Sequence, residues 1–216
     1  RRVAPGARLR LDHEALVLRR LKSPWAAPLL AVGAQGELFY LVMEHVAATP
    51  LDERLRQGPL SLRDSLRLAV CLLMALRDVH EQGVLHRDLK PANIIVTGES
   101  RLERATLIDF GLSHSDWLDL AIRDHSVGTA RYLSPEQAGL LEQKPDCRSD
   151  LYSAGAVLFE CLAGRPPFEA ESVGELLWQH MAVRPPSVRT LRPEVPRALD
   201  DAVTRLLRKD PRDRYQ

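Results

Sequence analysis

The sequence predicts an α+β chain in two unequal parts, a small β-containing region followed by a larger, mainly helical one. Two strand-like apolar runs near the start, Pro28 to Val32 and Leu38 to Met43, carry the first half of that expectation. From Leu51 onward, stretches with apolar residues recurring every three or four positions carry the second. At 216 residues, with 45% apolar and 27% charged content, the chain is long enough to bury a core of ordinary composition.

The elements follow in order. Residues 12 to 21 put Ala15, Leu18 and Leu21 on one helical face, with Asp12 placed as a cap and Ser23-Pro24 as the stop. The two strand-like runs come next, with Gly33-Ala34-Gln35-Gly36 expected as the hairpin turn between them. Helices are expected over Leu51 to Arg56 and over Ser61 to Gln82, the second capped by Ser61 and stopped by Gly83. Ile94-Ile95-Val96 and Thr106-Leu107-Ile108 read as brief strands. Residues 112 to 134 are polar and irregular, a long loop of the kind that usually carries function. Helices resume at 149 to 163, 172 to 181 and 197 to 208, with Arg184-Pro185-Pro186 and Arg192-Pro193 as punctuation.

Bulk properties argue against several classes. A net charge of +1 gives no general attraction to nucleic acid or to an anionic membrane. The longest apolar stretches, Leu68 to Leu76 and Ala154 to Ala163, fall short of the roughly 18 residues a membrane-spanning helix needs. No signal-peptide pattern is visible. Cys71, Cys147 and Cys161 lack the paired spacing of a disulfide framework or a zinc site, and Cys71 and Cys161 sit in apolar helical patterns as core residues. A reducing, cytoplasmic compartment fits that usage. His13, His45, His80, His114, His125 and His180 show no metal-ligand spacing and read as surface or helix-packing residues.

The chemistry is concentrated in two motifs. Residues 86 to 93 read His86-Arg87-Asp88-Leu89-Lys90-Pro91-Ala92-Asn93, and Asp109-Phe110-Gly111 begins sixteen residues after Asn93. Lysine occurs only at 22, 90, 144 and 209, so Lys90 beside Asp88 stands out in an arginine-rich chain. An eight-residue string with its partner at this distance is far more specific than a lone Asp-Phe-Gly. Phosphoryl transfer needs the nucleophile aimed, metal ions held and developing charge offset. Two acids, an amide and a cation in this register suit those tasks.

The two motifs resemble those of the eukaryotic-type protein kinase family, on its Ser/Thr side, and the resemblance extends over essentially the whole chain. It implies a bilobal fold, with a partial small lobe and hinge over 1–46 and the large lobe over 47–216. It also implies ATP and Mg²⁺ as cofactors and a protein substrate. Asp88 matches the acid that takes or orients the proton of the attacking hydroxyl. Lys90 would reach the transferring phosphate, and Asn93 and Asp109 match the two protein ligands of Mg²⁺, hard oxygen donors as that ion prefers. Glu14 matches the helix glutamate that pairs with a strand lysine over the nucleotide phosphates. Met43-Glu44-His45-Val46 resembles the hinge, with Met43 as gatekeeper, the Glu44 and Val46 backbone groups facing the adenine, and Ile95 packing under the base. His86, Phe110, Leu18 and Leu29 resemble the family's internal apolar spine.

Downstream, Gly128-Thr129-Ala130-Arg131-Tyr132-Leu133-Ser134-Pro135-Glu136 resembles the substrate-facing loop and the Ala-Pro-Glu signature, with Ser134 for Ala. Asp150-Leu151-Tyr152-Ser153-Ala154-Gly155 resembles Asp-x-Trp-Ser-x-Gly, with Tyr152 for Trp. The resemblance implies that Asp150 accepts backbone hydrogen bonds from the catalytic loop and that Arg214 pairs with Glu136. Arg87 beside Asp88 implies an anion on the long loop, with Ser126 the nearest hydroxyl to phosphorylate and Asp119 or Asp124 as built-in acids.

The family's Gly-rich loop and strand lysine are not in the sequence, and that lysine lies further ahead of the helix glutamate than the thirteen residues before Glu14 allow. With Arg1 in place of an initiator Met, a fragment of a longer product is expected, truncated at both ends and inactive alone. The segment from Gly128 to Gln216 resembles bacterial multidomain proteins in which such a kinase precedes an AAA-type ATPase and sensor modules. Two other readings compete. A pseudokinase acting as a regulatory or docking module draws only on the absent loop and lysine. A small-molecule kinase shares the Asp and Asn pattern but is opposed by Lys90, the 128–136 loop and the Asp150 helix.

Overall fold

The computed structural model describes residues 15–216 apart from 17, 20, 36, 37, 99, 100, 111–126 and 140–142, and leaves out the side chains of 38, 39, 127 and 129. Ala15, Leu16, Leu18 and Arg19 are helical, with Ala15 and Leu18 buried and Leu21 packed against the main core. Strands β1 (Leu29–Gln35) and β2 (Leu38–Met43) pair antiparallel. The expected turn over Gly33 to Gly36 is therefore corrected: β1 runs through Gln35, which pairs with Leu38. Gly33 is a strand residue opposite Tyr40, and a Cβ there would collide with the Tyr40 ring. This glycine admits a cross-strand aromatic and turns nothing.

A second sheet joins β3 (Thr49–Pro50), β4 (Ile94–Thr97) and β5 (Arg104–Leu107) in that order, both pairs antiparallel. The segment before β1 is tied to this sheet. The Leu107 N–H donates to the Trp25 carbonyl at 2.7 Å and the Ala27 N–H to the Leu107 carbonyl at 3.1 Å. Gln82 adds a clasp, accepting the Lys22 N–H at 2.8 Å and donating to the Lys22 carbonyl at 3.1 Å. The chain leading into β1 is thus anchored to β5 and to the C-terminal end of the helix over Leu62–Glu81.

Helices α1 (Leu51–Leu55), α2 (Leu62–Glu81), α3 (Val127–Ala130), α4 (Cys147–Ala163), α5 (Val173–Ala182), α6 (Val188–Leu191) and α7 (Arg197–Leu206) complete the described elements, with 3₁₀ turns at Pro91–Asn93 and Pro211–Asp213. Ser61 caps α2 by accepting the Asp64 N–H at 3.0 Å, as its residue type leads one to expect. Helix α4 starts two residues earlier than expected because Asp146 and Ser149 form a reciprocal cap. Two short helices, α3 and α6, fall in stretches read as loop or punctuation; four residues are too few to show a period.

Helix α4 is buried on nearly every side and forms the axis of the main core, with α2, α6 and α7 packed on it and β5 packed on the other side of α2. At Gly155 an added Cβ would come within 2.7 Å of the Leu206 Cβ, so this glycine sets how closely α7 approaches. Cys71 and Cys161 are free core thiols, as expected, and Cys147 is free and half-buried. Among the described residues no helix is long and apolar enough to cross a membrane.

Candidate active site

Between α2 and the 3₁₀ turn the chain runs irregularly through Val84 to Leu89, and its shape is imposed from outside. The buried Asp150 carboxylate, in the first turn of α4, accepts the His86 N–H at 2.9 Å and the Arg87 N–H at 2.7 Å. Arg87 sits at φ 64, a left-handed conformation that a long side chain rarely adopts unless its surroundings enforce it. The Arg87 carbonyl is also held, by the Gln137 side-chain amide at 2.7 Å. The Asp150 role expected of its motif is thus met by geometry.

His86 is fully buried, and burial pushes its pKa down, so the ring is neutral. Its Nδ1 faces the Asp88 N–H at 3.3 Å, which leaves the ring proton on Nε2 to donate to the Ile108 carbonyl at 3.1 Å. The ring lies 4.8 Å from Phe110, tilted by 42°. Phe110 and Leu18 belong to the main buried cluster, and Leu29 packs against it half-buried.

The Asp88 carboxylate is the convergence point. Lys90 Nζ donates to its Oδ2 at 2.8 Å, and Asn93 Nδ2 donates to the same oxygen at 3.0 Å and to the Asp88 carbonyl at 2.8 Å. Asn93 reaches Asp88 because the Pro91–Asn93 turn folds the chain back over three residues, while Lys90, extended just before the turn, reaches it directly across two positions. The Ile108 N–H donates to the Asn93 carbonyl at 3.0 Å, which puts Asp109 one residue beyond this bond. Asp109 is exposed, at φ 52, a left-handed conformation that Asp tolerates better than most residues. Asp88, Lys90 and Asn93 are in direct contact and Asp109 flanks them.

The expected hinge residues lie where β2 ends. Met43 is half-buried against the main core, the Glu44 N–H donates to the Pro28 carbonyl at 2.9 Å, and the Val46 carbonyl accepts the Ala48 N–H at 2.8 Å. Ile95 is buried on β4 but lies outside the main cluster that holds Ile94 and Val96, as strand alternation requires. Glu14, Gly111, Asp119, Asp124 and Ser126 lie outside the described residues, as does the side chain of Thr129.

Behind the site, Glu136 and Arg214 form the expected buried pair: Arg214 Nη1 and Nη2 meet the two carboxylate oxygens at 2.6 and 2.9 Å. Arg214 also donates to the carbonyls of Arg148, Arg208 and Lys209, so all its N–H groups are used. Sequence reasoning missed three contributors. His80, expected at the surface or in helix packing, does join α2 to α4, but its part in the site was not foreseen: its Nε2 lies 2.8 Å from Asp150 Oδ2. Ser149 donates to Glu136 at 2.8 Å. Gln137 receives the Ser134 hydroxyl at 3.0 Å while reaching Arg87, which gives the Ser in place of Ala a structural use. Only their neighbourhood to recognised motifs could have pointed to them.

Comparison with known proteins agrees with this arrangement. A model of the protein kinase domain matches residues 6–216. The chain is 35% identical over 213 residues to the serine/threonine-protein kinase PknH of Mycobacterium tuberculosis, covering 98% of this chain and 33% of that protein. It is 32% identical over 211 residues to the serine/threonine-protein kinase PrkC of Bacillus subtilis, covering 96% and 32%. The chain thus spans about a third of the length of the curated relatives it matches. The crystal structure of the Mycobacterium tuberculosis PknI kinase domain superposes with a TM-score of 0.72 at 25% identity, covering 96% of this chain and 73% of that one. The bracing of the His86–Asp88 loop by Asp150 and the match over nearly the full chain make this a member of the protein kinase domain family.

Proposed function

We propose that this chain is the catalytic part of a protein serine/threonine kinase, moving the terminal phosphoryl group of ATP onto a Ser or Thr hydroxyl of a protein. The observation that carries this reading is the Asp88 carboxylate held by Lys90 and Asn93 on one oxygen. Oδ1 is then the oxygen that would take the proton of the incoming hydroxyl. Lys90, already beside Asp88, would offset charge on the phosphate as it transfers.

The residues also fit Mg²⁺. Both Asn93 Nδ2 bonds run to Asp88, which leaves the amide Oδ1 for a cation, and the exposed Asp109 carboxylate is a second hard oxygen donor. Bound there, the ion would neutralise phosphate charge and orient the terminal group. Ile95, turned away from the main core, suits the underside of a base, and the Glu44 carbonyl with the Val46 N–H suits its edge. The three free cysteines suit a reducing, cytoplasmic compartment. Further domains, an AAA-type ATPase and sensor modules among them, are proposed on resemblance alone.

The test is transfer of labelled phosphate from ATP to a protein acceptor by the natural full-length protein. Transfer that stops when Mg²⁺ is chelated is expected. Failure to label any Ser/Thr-containing acceptor, with ATP binding intact, would favour a non-catalytic module.

A further inference from the structure

Helix α5 lies against residues 130–138: Ala130 packs with Phe168 and Leu176, and Leu133 and Ala138 pack with Leu177. Near its C-terminal end His180 is completely buried, a polar ring inside this apolar seam. Its Nδ1 lies 2.8 Å from the Tyr152 hydroxyl, and the ring meets Phe168 edge-on at 5.0 Å. Burial drives the Tyr152 phenol well above its ordinary range, so the hydroxyl keeps its proton and donates it to Nδ1. Burial also lowers the His180 pKa to about 3, so the ring is neutral and its one proton is on Nε2.

That Nε2 is buried and, among the described residues, has no hydrogen-bond partner of good geometry; the backbone acceptors facing it are the carbonyls of Arg131 and Ala130. A fully buried donor facing these carbonyls has no other acceptor among the described residues, so they are where its hydrogen bond must go. The supporting end of α5 is fixed: Lys209 Nζ donates to the Gln179 carbonyl at 3.2 Å and lies 4.3 Å over the Phe168 ring. Arg214, bound to Glu136 of the same loop, lies 4.9 Å over the Tyr152 ring. The loop itself is held from the α4 side, where the Ser153 hydroxyl donates to the Tyr132 carbonyl at 2.7 Å, so His180 faces its Ala130–Arg131 end from α5.

We propose that His180 is a positioning residue for the peptide-facing loop: its Nε2–H steadies the carbonyls of Ala130 and Arg131 when a peptide seats there, and Tyr152 fixes the tautomer that supplies this proton. The inference rests on the kinase reading. In that reading the segment from Gly128 to Glu136 meets the protein substrate, so the bond is worth more with peptide bound than without it. His180 touches neither reacting group, and its loss should register in peptide affinity.

The experiment measures steady-state transfer to a Ser-containing peptide by the natural full-length protein and by its His180→Phe, His180→Gln and Tyr152→Phe variants. For His180→Phe, peptide KM should rise about tenfold, with kcat within about twofold and ATP KM unchanged, as for loss of one buried hydrogen bond. His180→Gln retains a donor near the Nε2 position and should recover most of the loss. Tyr152→Phe keeps the ring volume and should raise peptide KM less, since the tautomer is freed but not removed. It also serves if His180→Phe fails to fold. Unchanged peptide KM in folded His180→Phe and Tyr152→Phe would overturn the proposal, as would a uniform loss of kcat that tracks a lower Tm. A parent protein that transfers no phosphate to any peptide would bring down the kinase reading, and this inference with it.

Discussion

The Asp150 carboxylate holds the Arg87 N–H at 2.7 Å, across 63 residues of sequence, and so fixes a left-handed residue directly before Asp88. The direction of the Asp88 side chain follows from this bond and from its companion to the His86 N–H. Asp150→Ala would leave two buried N–H donors unmet, at about 1–3 kcal/mol each. Urea denaturation should show a loss of that order. In the variant that remains folded, kcat should fall well over tenfold while ATP binding changes little.

Asp88→Asn and Asp109→Asn should separate two tasks. The first removes the proposed proton acceptor and should lower kcat by about 10²–10⁴-fold with nucleotide affinity near normal. The second removes a charged oxygen donor and should weaken Mg²⁺-dependent nucleotide binding as well. Calorimetric titration of Mg²⁺-ATP beside the kinetic assay checks both; near-normal turnover in both variants would refute the site assignment.

The Glu136–Arg214 pair should be costly to break from one side. Glu136→Ala strands a fully buried guanidinium, which typically costs about 3–5 kcal/mol. Glu136→Gln keeps the shape and loses only the charge, so denaturation should place it between the parent and Glu136→Ala.

Lys209 makes stability depend on pH. Burial, then the nearby Arg214 charge, lower its folded pKa to about 7 from the ordinary 10.5. Between those values the unfolded chain binds more protons than the folded one, so this residue makes stability rise with pH from about 7 to about 10.5. Lys209→Met keeps most of the packing and removes the titration. Tm measured from pH 6.5 to 9.5 should climb less steeply in the variant than in the parent, and identical slopes would contradict the assignment.

Legibility of the sequence divides along chain distance. Asp88, Lys90 and Asn93 meet within one turn, so their motif carries their geometry. Asp150 and Arg214 were legible because each lies in a motif whose role the family resemblance supplies. His80 on Asp150, Gln137 on Arg87 and Tyr152 on His180 join residues 70, 50 and 28 positions apart, with no local pattern to announce them. Gly33 shows the opposite failure: a local signal for a turn was overridden by the Tyr40 side chain across the strand pair.

The most direct test of the central claim is phosphoamino-acid identification after the natural full-length protein and its Asp88→Asn variant are incubated with Mg²⁺-ATP and a mixture of Ser-, Thr- and Tyr-containing peptides. Lys90 Nζ lies 2.8 Å from the Asp88 carboxylate, and a short aliphatic side chain must come close for its hydroxyl to reach that carboxylate. The account predicts phosphoserine or phosphothreonine from the parent and neither from Asp88→Asn. Predominant phosphotyrosine, or undiminished transfer by the variant, would contradict it.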